Sequence, residues 1–543
     1  MGLPAGLKTP REVKAFYDQR YQRLIDSGEY VPFLYPWATI GAALILVYLL
    51  IDHRRSPTLQ ALRFPLFGFL CAFSGWSILN HKARSAAGAY GVGLVQSWGT
   101  LWTGAVMFFN DCQSDFRRIE RAGTYEPRQA DADSKNASNN GSAIKNDASG
   151  IIQAGSASPA RSSRKSGSLF WQSYPEHFSI KRVDWIADVF CNFRGVGWSF
   201  ETNGIPPPPD VIELEDHGSN KTTRENTSKE TMTISRTGIR RFHNRKALLK
   251  DTIFRLALGA IALDAIKCLM HHDAYFWGYI DAPPPAWLFP YTRSLPSCLG
   301  PILLKSYRLL LSLFGIHFAL HEIFRLGPLF FVEILGPKLV GLRSEAWMNP
   351  PDAFGDFSAV FEKGLAGWWG SFWHQMFRFA FEAPTTRILE LLKIEKRSET
   401  GKSLGLVIAF FLSGCLHACG SYTQLGDTRP IWGPFMFFQW QTVGVVGQMF
   451  MAKQLKSAGI KDRMPKWIRQ MTNFWVTIIW MYWTAPLLVD DFAKGGVWLY
   501  EPLAFSPLRA LGLGAPDDRS WDLWYGLIFW HQGEHWWSTG LAF

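Results

Sequence analysis

The sequence predicts an all-α polytopic membrane fold. Three observations carry this: high apolar content, long windows without charge, and charge gathered into two polar stretches. Of 543 residues, 48% are hydrophobic and 15% aromatic, with 25 Trp and 41 Phe, whereas only 19% are charged. A mean hydropathy near zero therefore averages two unlike populations, an apolar core and its polar connections.

The windows free of Asp, Glu, Lys and Arg are Val31–Ile51, Ser85–Asn110, Ser403–Gly426, Pro430–Ala452 and Met471–Val489. A helix needs about 20 such residues to cross the hydrocarbon core. Shorter or charge-interrupted candidates are Phe64–Asn80, Ile253–Met270, Leu309–Phe324, Leu326–Val340 and Trp521–His531. Together they predict roughly eight to eleven transmembrane helices. Residues 1–30 are polar and lack the apolar core of a cleavable signal peptide.

Five segments follow from this pattern: N-terminal transmembrane helices at 1–110, a low-complexity polar linker at 111–180, an interfacial amphipathic segment at 181–209, a second polar linker at 210–250, and a membrane core at 251–543. In the third segment Trp185, Val189 and Phe193 recur at helical spacing, which suits a helix lying at the membrane surface; an ordinary surface helix has the same period.

The net charge of +11, with basic clusters at Arg54–Arg55, Arg117–Arg128, Arg161–Arg182 and Arg236–Lys250, points to cytosolic loops rather than nucleic-acid binding. The Lys82–Arg84 loop opposes that orientation. Sequons at Asn136, Asn140, Asn220 and Asn226 would then face the cytosol, and their glycosylation would reverse the topology. Seven scattered cysteines give neither a disulfide framework nor a zinc pattern, so no metal is expected.

An ionisable side chain deep in an apolar span is costly and by default a functional candidate. His417 stands in Phe411-Leu-Ser-Gly-Cys-Leu-His417-Ala, flanked by Ser413, Gly414, Cys415, Cys419 and Gly420. Small neighbours let another helix or a substrate approach the imidazole, and a neutral imidazole is a competent base. A structural histidine bonded across helices is the alternative. Upstream, Gly367-Trp-Trp-Gly-Ser-Phe-Trp373-His374-Gln375-Met-Phe-Arg378 gathers aromatic and polar groups suited to an interfacial anchor or to lining a ligand tunnel. Asp264 and Lys267, three apart in one predicted span, are placed to pair with each other.

Four pieces, in order, resemble the membrane-bound O-acyltransferases of the wax-synthase-like branch. They are Arg182…Trp185…Asp188…Arg194-Gly195-Val-Gly197-Trp198; Trp347…Pro350-Pro351…Phe354; Gly370-Ser-Phe-Trp373-His374-Gln375…Arg378; and Phe411-Leu-Ser413-Gly414…His417. The resemblance spans roughly residues 180–490 and departs at Ser371-Phe372, where the family usually carries basic residues. It implies helices around an internal reaction chamber, with His417 as general base and His374 orienting the acyl group. It further implies Trp373, Gln375, Arg378, Ser413 and Gly414 as substrate-binding residues, and an acyl-CoA co-substrate with no bound cofactor. The implied acceptor is a hydrophobic alcohol drawn from the bilayer or lumen, and the implied setting a multi-pass protein of the endoplasmic reticulum.

Fungal members of this branch commonly acetylate terpenoid, meroterpenoid or polyketide alcohols, so the resemblance leans towards acetyl-CoA as donor. Wax ester synthesis from long-chain acyl-CoA and a fatty alcohol is the runner-up. Two rivals belong to other classes. A membrane di-iron oxidase would use the pairs His317/His321 and His531/His535, but no HxxHH box occurs. A transporter would show internal repeats and paired broken helices, and no convincing repeat is visible.

Overall fold

The computed structural model describes residues 2–122, 168–208, 231–521 and 528–543. Most of them are helical. The first helix, α1 (Pro10–Asp26), opens on Thr9, whose hydroxyl accepts the Glu12 amide at 3.3 Å. The next two, α2 (Ile40–Leu50) and α3 (Arg63–Asn80), are almost wholly apolar. Ser85 caps α4 (Ala86–Thr103), accepting the Gly88 amide at 2.9 Å, and α4 runs on through a π-helical turn at Gly104–Phe108.

Both stretches expected as linkers contain ordered structure at their described ends. Strand β1 (Arg118–Arg121) pairs antiparallel with β2 (Leu169–Gln172), and Met232–Ile234 pairs with Arg240–Phe242. Charge made these segments read as solvated, but here it is paired, and Arg118 and Asp352 are buried. Arg118 meets Asp184 at 2.5 Å and Asp188 at 3.3 Å, and Arg240 meets Asp251 at 2.8 Å and Asp352 at 2.6 Å. Residues 123–167, with Asn136 and Asn140, and 209–230, with Asn220 and Asn226, lie outside the described residues.

The segment expected at the membrane surface forms α5 (Ile180–Cys191), whose Trp185, Ile186 and Val189 are buried. Their partners are protein: Trp185 packs edge-on against Trp198 at 4.8 Å and against Tyr174 at 5.3 Å. Phe193 lies beyond the helix end and meets Trp98 at 5.0 Å and Trp102 at 5.2 Å.

The second half supplies α6 (Arg245–His271), α7 (Leu299–Pro328), α8 (Arg378–Leu391), α9 (Glu399–Thr423), α10 (Met436–Ser457) and α11 (Lys466–Thr484). Ser398 caps α9 by accepting the Gly401 amide at 3.0 Å. Among the described residues, three helical runs are long and apolar enough to cross a membrane: Pro57–Asn80, Leu299–Ser344 and Glu399–Thr423. Large apolar side chains also face outwards from neighbouring helices, as with Phe254, Leu258 and Ile261 on α6 and Trp475, Ile479 and Trp483 on α11. A hydrocarbon surround stabilises such a surface, and water does not.

Two local expectations are corrected. Asp264 and Lys267 do not pair with each other. Asp264 accepts from Ser506 Oγ at 2.5 Å and from the Leu508 amide, while Lys267 donates to the Trp498 carbonyl. A closing C-terminal segment thus meets groups that helical spacing alone would pair. The described end of Trp521–His531 is a strand, Phe529–His531, so His531 and His535 share no helix face. That strand pairs with Gly540–Ala542, which pairs in turn with Leu34–Tyr35.

Candidate active site

His417 sits on α9 one turn after Ser413, between two aromatic partners. On one side the ring stacks on Phe438 of α10, with centroids 4.7 Å apart and planes 19° apart. On the other, Nδ1 lies 2.5 Å from the Tyr90 hydroxyl of α4. Protein surrounds the imidazole, although the residue as a whole is only half-buried.

Small residues make this approach possible. A Cβ on Gly93 of α4 would come within 2.0 Å of the Cys419 carbonyl oxygen, and one on Gly420 within 2.6 Å of the Tyr90 ring. Thr423 fixes the register: its hydroxyl donates to the Ala89 carbonyl at 2.6 Å and accepts the Gly93 amide at 3.1 Å. Gly414 does similar work towards α10, where a Cβ would meet Phe435 at 2.9 Å.

The aromatic run before α8 folds as a π-helical turn, Trp368–Phe372, after which Trp373 turns extended. Gln375 holds that shape. Its Nε2 donates to the carbonyls of Trp369 at 2.9 Å and Trp373 at 2.7 Å, and its Oε1 accepts from Arg378 at 3.2 Å. Arg378 also donates to Glu382 at 2.8 Å. The polar ends of these two predicted substrate-binding residues are therefore engaged within their own segment. Ser413 and Gly414 are buried beside His417, and Trp373 is half-buried.

His374 is likewise enclosed but half-buried, and its Nδ1 is buried without a hydrogen-bond partner. A buried orphan nitrogen is costly unless something else satisfies it. The two histidines lie within electrostatic reach of each other. A continuous row of rings joins them: His374 to Trp373 at 5.6 Å, Trp373 to Trp369 at 5.8 Å, Trp369 to Phe438 at 6.0 Å, and Phe438 to His417. Phe354 closes the far end, with His374 at 5.9 Å, His317 at 4.4 Å and His321 at 5.0 Å. His317 and His321 thus sit against an aromatic ring; among the described residues, no three His, Cys, Asp or Glu side chains gather where an ion could bind.

The remaining quoted motif residues build the frame. Arg194 donates to the carbonyls of Asp352 at 2.8 Å and Pro350 at 2.7 Å, fixing the Pro-Pro turn that delivers Phe354. Arg182 donates to the carbonyls of Pro175 and Leu50. Asp188 accepts from Arg343 at 3.1 Å. Sequence reasoning missed Tyr90 and Phe438 as parts of the site, and it quoted Phe354 in a motif without giving it a role there. Tyr90 carried one signal, being the only tyrosine in the uncharged window Ser85–Asn110.

The segment joining Pro350, the aromatic turn, His417 and the first half of α10 coincides with a known family. Residues 350–440 match the membrane bound O-acyl transferase family. That family is described as membrane bound, and this predominantly helical chain has, among its described residues, three helical runs long and apolar enough to cross a membrane. The chain is 25% identical over 318 residues to the O-mevalon transferase macI of Penicillium terrestre, covering 56% of this chain and 61% of that one. It is 27% identical over 199 residues to the acetyltransferase aurG of Calcarisporium arbuscula, covering 36% and 45%. With the O-mevalon transferase yanI of Aspergillus niger the identity is 24% over 321 residues, covering 56% and 60%. The chain thus spans less than two thirds of the length of each of these three relatives. No solved structure matches it significantly. Within the membrane bound O-acyl transferase match fall His374, His417 and Phe438, whereas Tyr90 lies well outside it.

Proposed function

We propose that this protein transfers an acyl group, acetyl from acetyl-CoA, to a hydroxyl of a hydrophobic secondary metabolite of terpenoid, meroterpenoid or polyketide type. One observation carries the reading: two enclosed, half-buried imidazoles, His417 and His374, are joined by a continuous row of aromatic rings inside the family-matching segment. The relatives named as acetyltransferases support the donor class.

A thioester is already activated, so no covalent enzyme intermediate is needed. The barriers are removal of the alcohol proton and charge build-up on the carbonyl oxygen. His417 takes the proton as the alcohol oxygen bonds to the acyl carbon, a contribution of about 10²–10⁴-fold. The C–S bond then breaks, and the proton returns from His417 to the departing thiolate. His374 faces the carbonyl oxygen as donor through the nitrogen that lacks a protein partner. Trp369, Trp373 and Phe438 exclude water and so protect the thioester from hydrolysis. The setting is a multi-pass protein of the endoplasmic reticulum, with eight to eleven spans around this chamber. CoA approaches from the cytosol and the alcohol from the bilayer.

A second reading keeps the site and changes the donor. Two relatives matching over more than half of this chain are named O-mevalon transferases, which favours a bulkier acyl group. Microsomes carrying the protein are offered acetyl-, mevalonyl- and palmitoyl-CoA against a terpenoid and a fatty alcohol. Acetyl transfer to the terpenoid is expected, abolished by His417→Ala and reduced by His374→Ala. Full activity of His417→Ala would sink the mechanism; transfer from palmitoyl-CoA alone, to the fatty alcohol, would keep the mechanism and make this a wax ester synthase.

A further inference from the structure

The hydroxyl of Tyr90 lies 2.5 Å from His417 Nδ1, and the phenol ring is held so that it has little room to move. Gly420 leaves space for one face of it, and Phe492 packs edge-on at 5.2 Å. The imidazole is fixed from its other side by Phe438. Nδ1 therefore has a protein partner, and Nε2 is the nitrogen left for a substrate.

We infer that Tyr90 is a positioning residue for the acyl transfer, fixing the tautomer and orientation of His417 so that Nε2 is presented unprotonated to the acceptor alcohol. This rests on the reading of His417 as base. A neutral imidazole carries hydrogen on one nitrogen only. For Nε2 to accept the alcohol proton, Nδ1 must carry the ring hydrogen and donate it to the Tyr90 oxygen, while the phenol hydrogen turns away. When Nε2 takes the proton, the same oxygen supports the imidazolium. As the proton passes on to the thiolate, the neutral tautomer is restored, so the phenol gains and loses nothing over the cycle. The N-terminal helices thereby contribute to catalysis, although they lie outside the family-matching segment.

Tyr90→Phe tests this, because the ring that fills the space beside Gly420 and Phe492 is retained. The expected result is a kcat lower by about 10- to 100-fold, the usual cost of losing the partner that orients a functional histidine. KM for both substrates should stay within about twofold, and the solvent deuterium isotope effect on kcat should rise as proton transfer becomes limiting. Melting in detergent establishes that the variant is folded. Should it not be, 3-fluorotyrosine at position 90 keeps ring and hydroxyl while weakening the oxygen as acceptor, and should give a reduced kcat with the same isotope signature. An unchanged or raised kcat in folded Tyr90→Phe, or a fluorinated enzyme identical to wild type, overturns the inference. His417→Ala separates the two levels: if it is inactive while Tyr90→Phe is normal, only the role of Tyr90 falls; if it is active, the base assignment falls as well.

Discussion

At the scale of single side chains, the proposed chemistry turns on how little freedom the His417 ring retains. Phe438 sets its plane, Tyr90 engages Nδ1, and the glycines beside it are spaces other groups have filled. Gly420→Ala places a methyl 2.6 Å from the Tyr90 ring and must displace it. Overpacking of this kind costs roughly 1–3 kcal/mol. The expected outcome is a modest fall in melting temperature with a larger fall in kcat, seen by comparing detergent melts with microsomal assays. Ala at Gly447 of α10, where a Cβ meets nothing within 4 Å, should leave both unchanged. Much of the candidate site at this scale was legible in the sequence. His417 and His374 stood out as polar groups among apolar neighbours, and physical cost makes such residues conspicuous. Gln375 and Arg378 were visible as polar residues, but their partners are carbonyl and side-chain atoms set by the π-helical turn, which no residue pattern specifies.

Elements come together here through small residues and buried charge. The contact of α4 with α9 depends on Gly93, whose Cβ would meet backbone and not a movable side chain. Gly93→Val is expected to destabilise the protein by roughly 3 kcal/mol or more, since neither helix backbone can yield without losing the bonds of Thr423. Reduced yield of folded protein after detergent extraction is the measurement. Arg194→Lys probes a different joint. Lysine keeps the charge but lacks the fork that reaches the Pro350 and Asp352 carbonyls together, so Phe354 loses its anchor. KM for the acceptor should rise several-fold with kcat less affected; an unchanged KM would mean that the Pro-Pro turn holds itself. Most helix positions were readable from uncharged windows, but the head of the window Val31–Ile51 forms the short strands Val31–Pro32 and Leu34–Tyr35, and the ordered ends of the polar stretches were not readable. Arg118, Arg240 and Asp352 look solvated in sequence, and only their distant partners make burial tolerable.

Taken as a whole, the molecule pairs an apolar exterior with charge networks at the ends of its helices. Asp251, just ahead of the predicted span in α6, is one such group. Burial alone would raise its carboxyl, but hydrogen bonds from Arg240 and Arg255 override this and hold it below the ordinary carboxylate value. Because the folded value is depressed, this stabilisation is fully present above the ordinary carboxylate range and is lost as pH falls through the lower folded value. Thermal stability in detergent should therefore fall more steeply with acid in the wild type than in Asp251→Asn; parallel slopes would count against the pairing. The general architecture could be read from composition, because hydrocarbon demands long apolar helices. The closing of Gly540–Ala542 onto Leu34–Tyr35 could not, since short strands at opposite ends of a chain leave no periodic trace.

The bond between Tyr90 and His417 joins positions 327 residues apart. At synthesis rates of about 5–20 residues per second, the ribosome needs roughly 15–65 s after making the tyrosine to make its histidine. For that interval the Ala89–Gly93 face of α4 waits in the translocation machinery or in lipid without the helix that covers it. Biogenesis of the protein therefore includes a timed wait, and a stall between the two halves would leave Tyr90 without the histidine it meets.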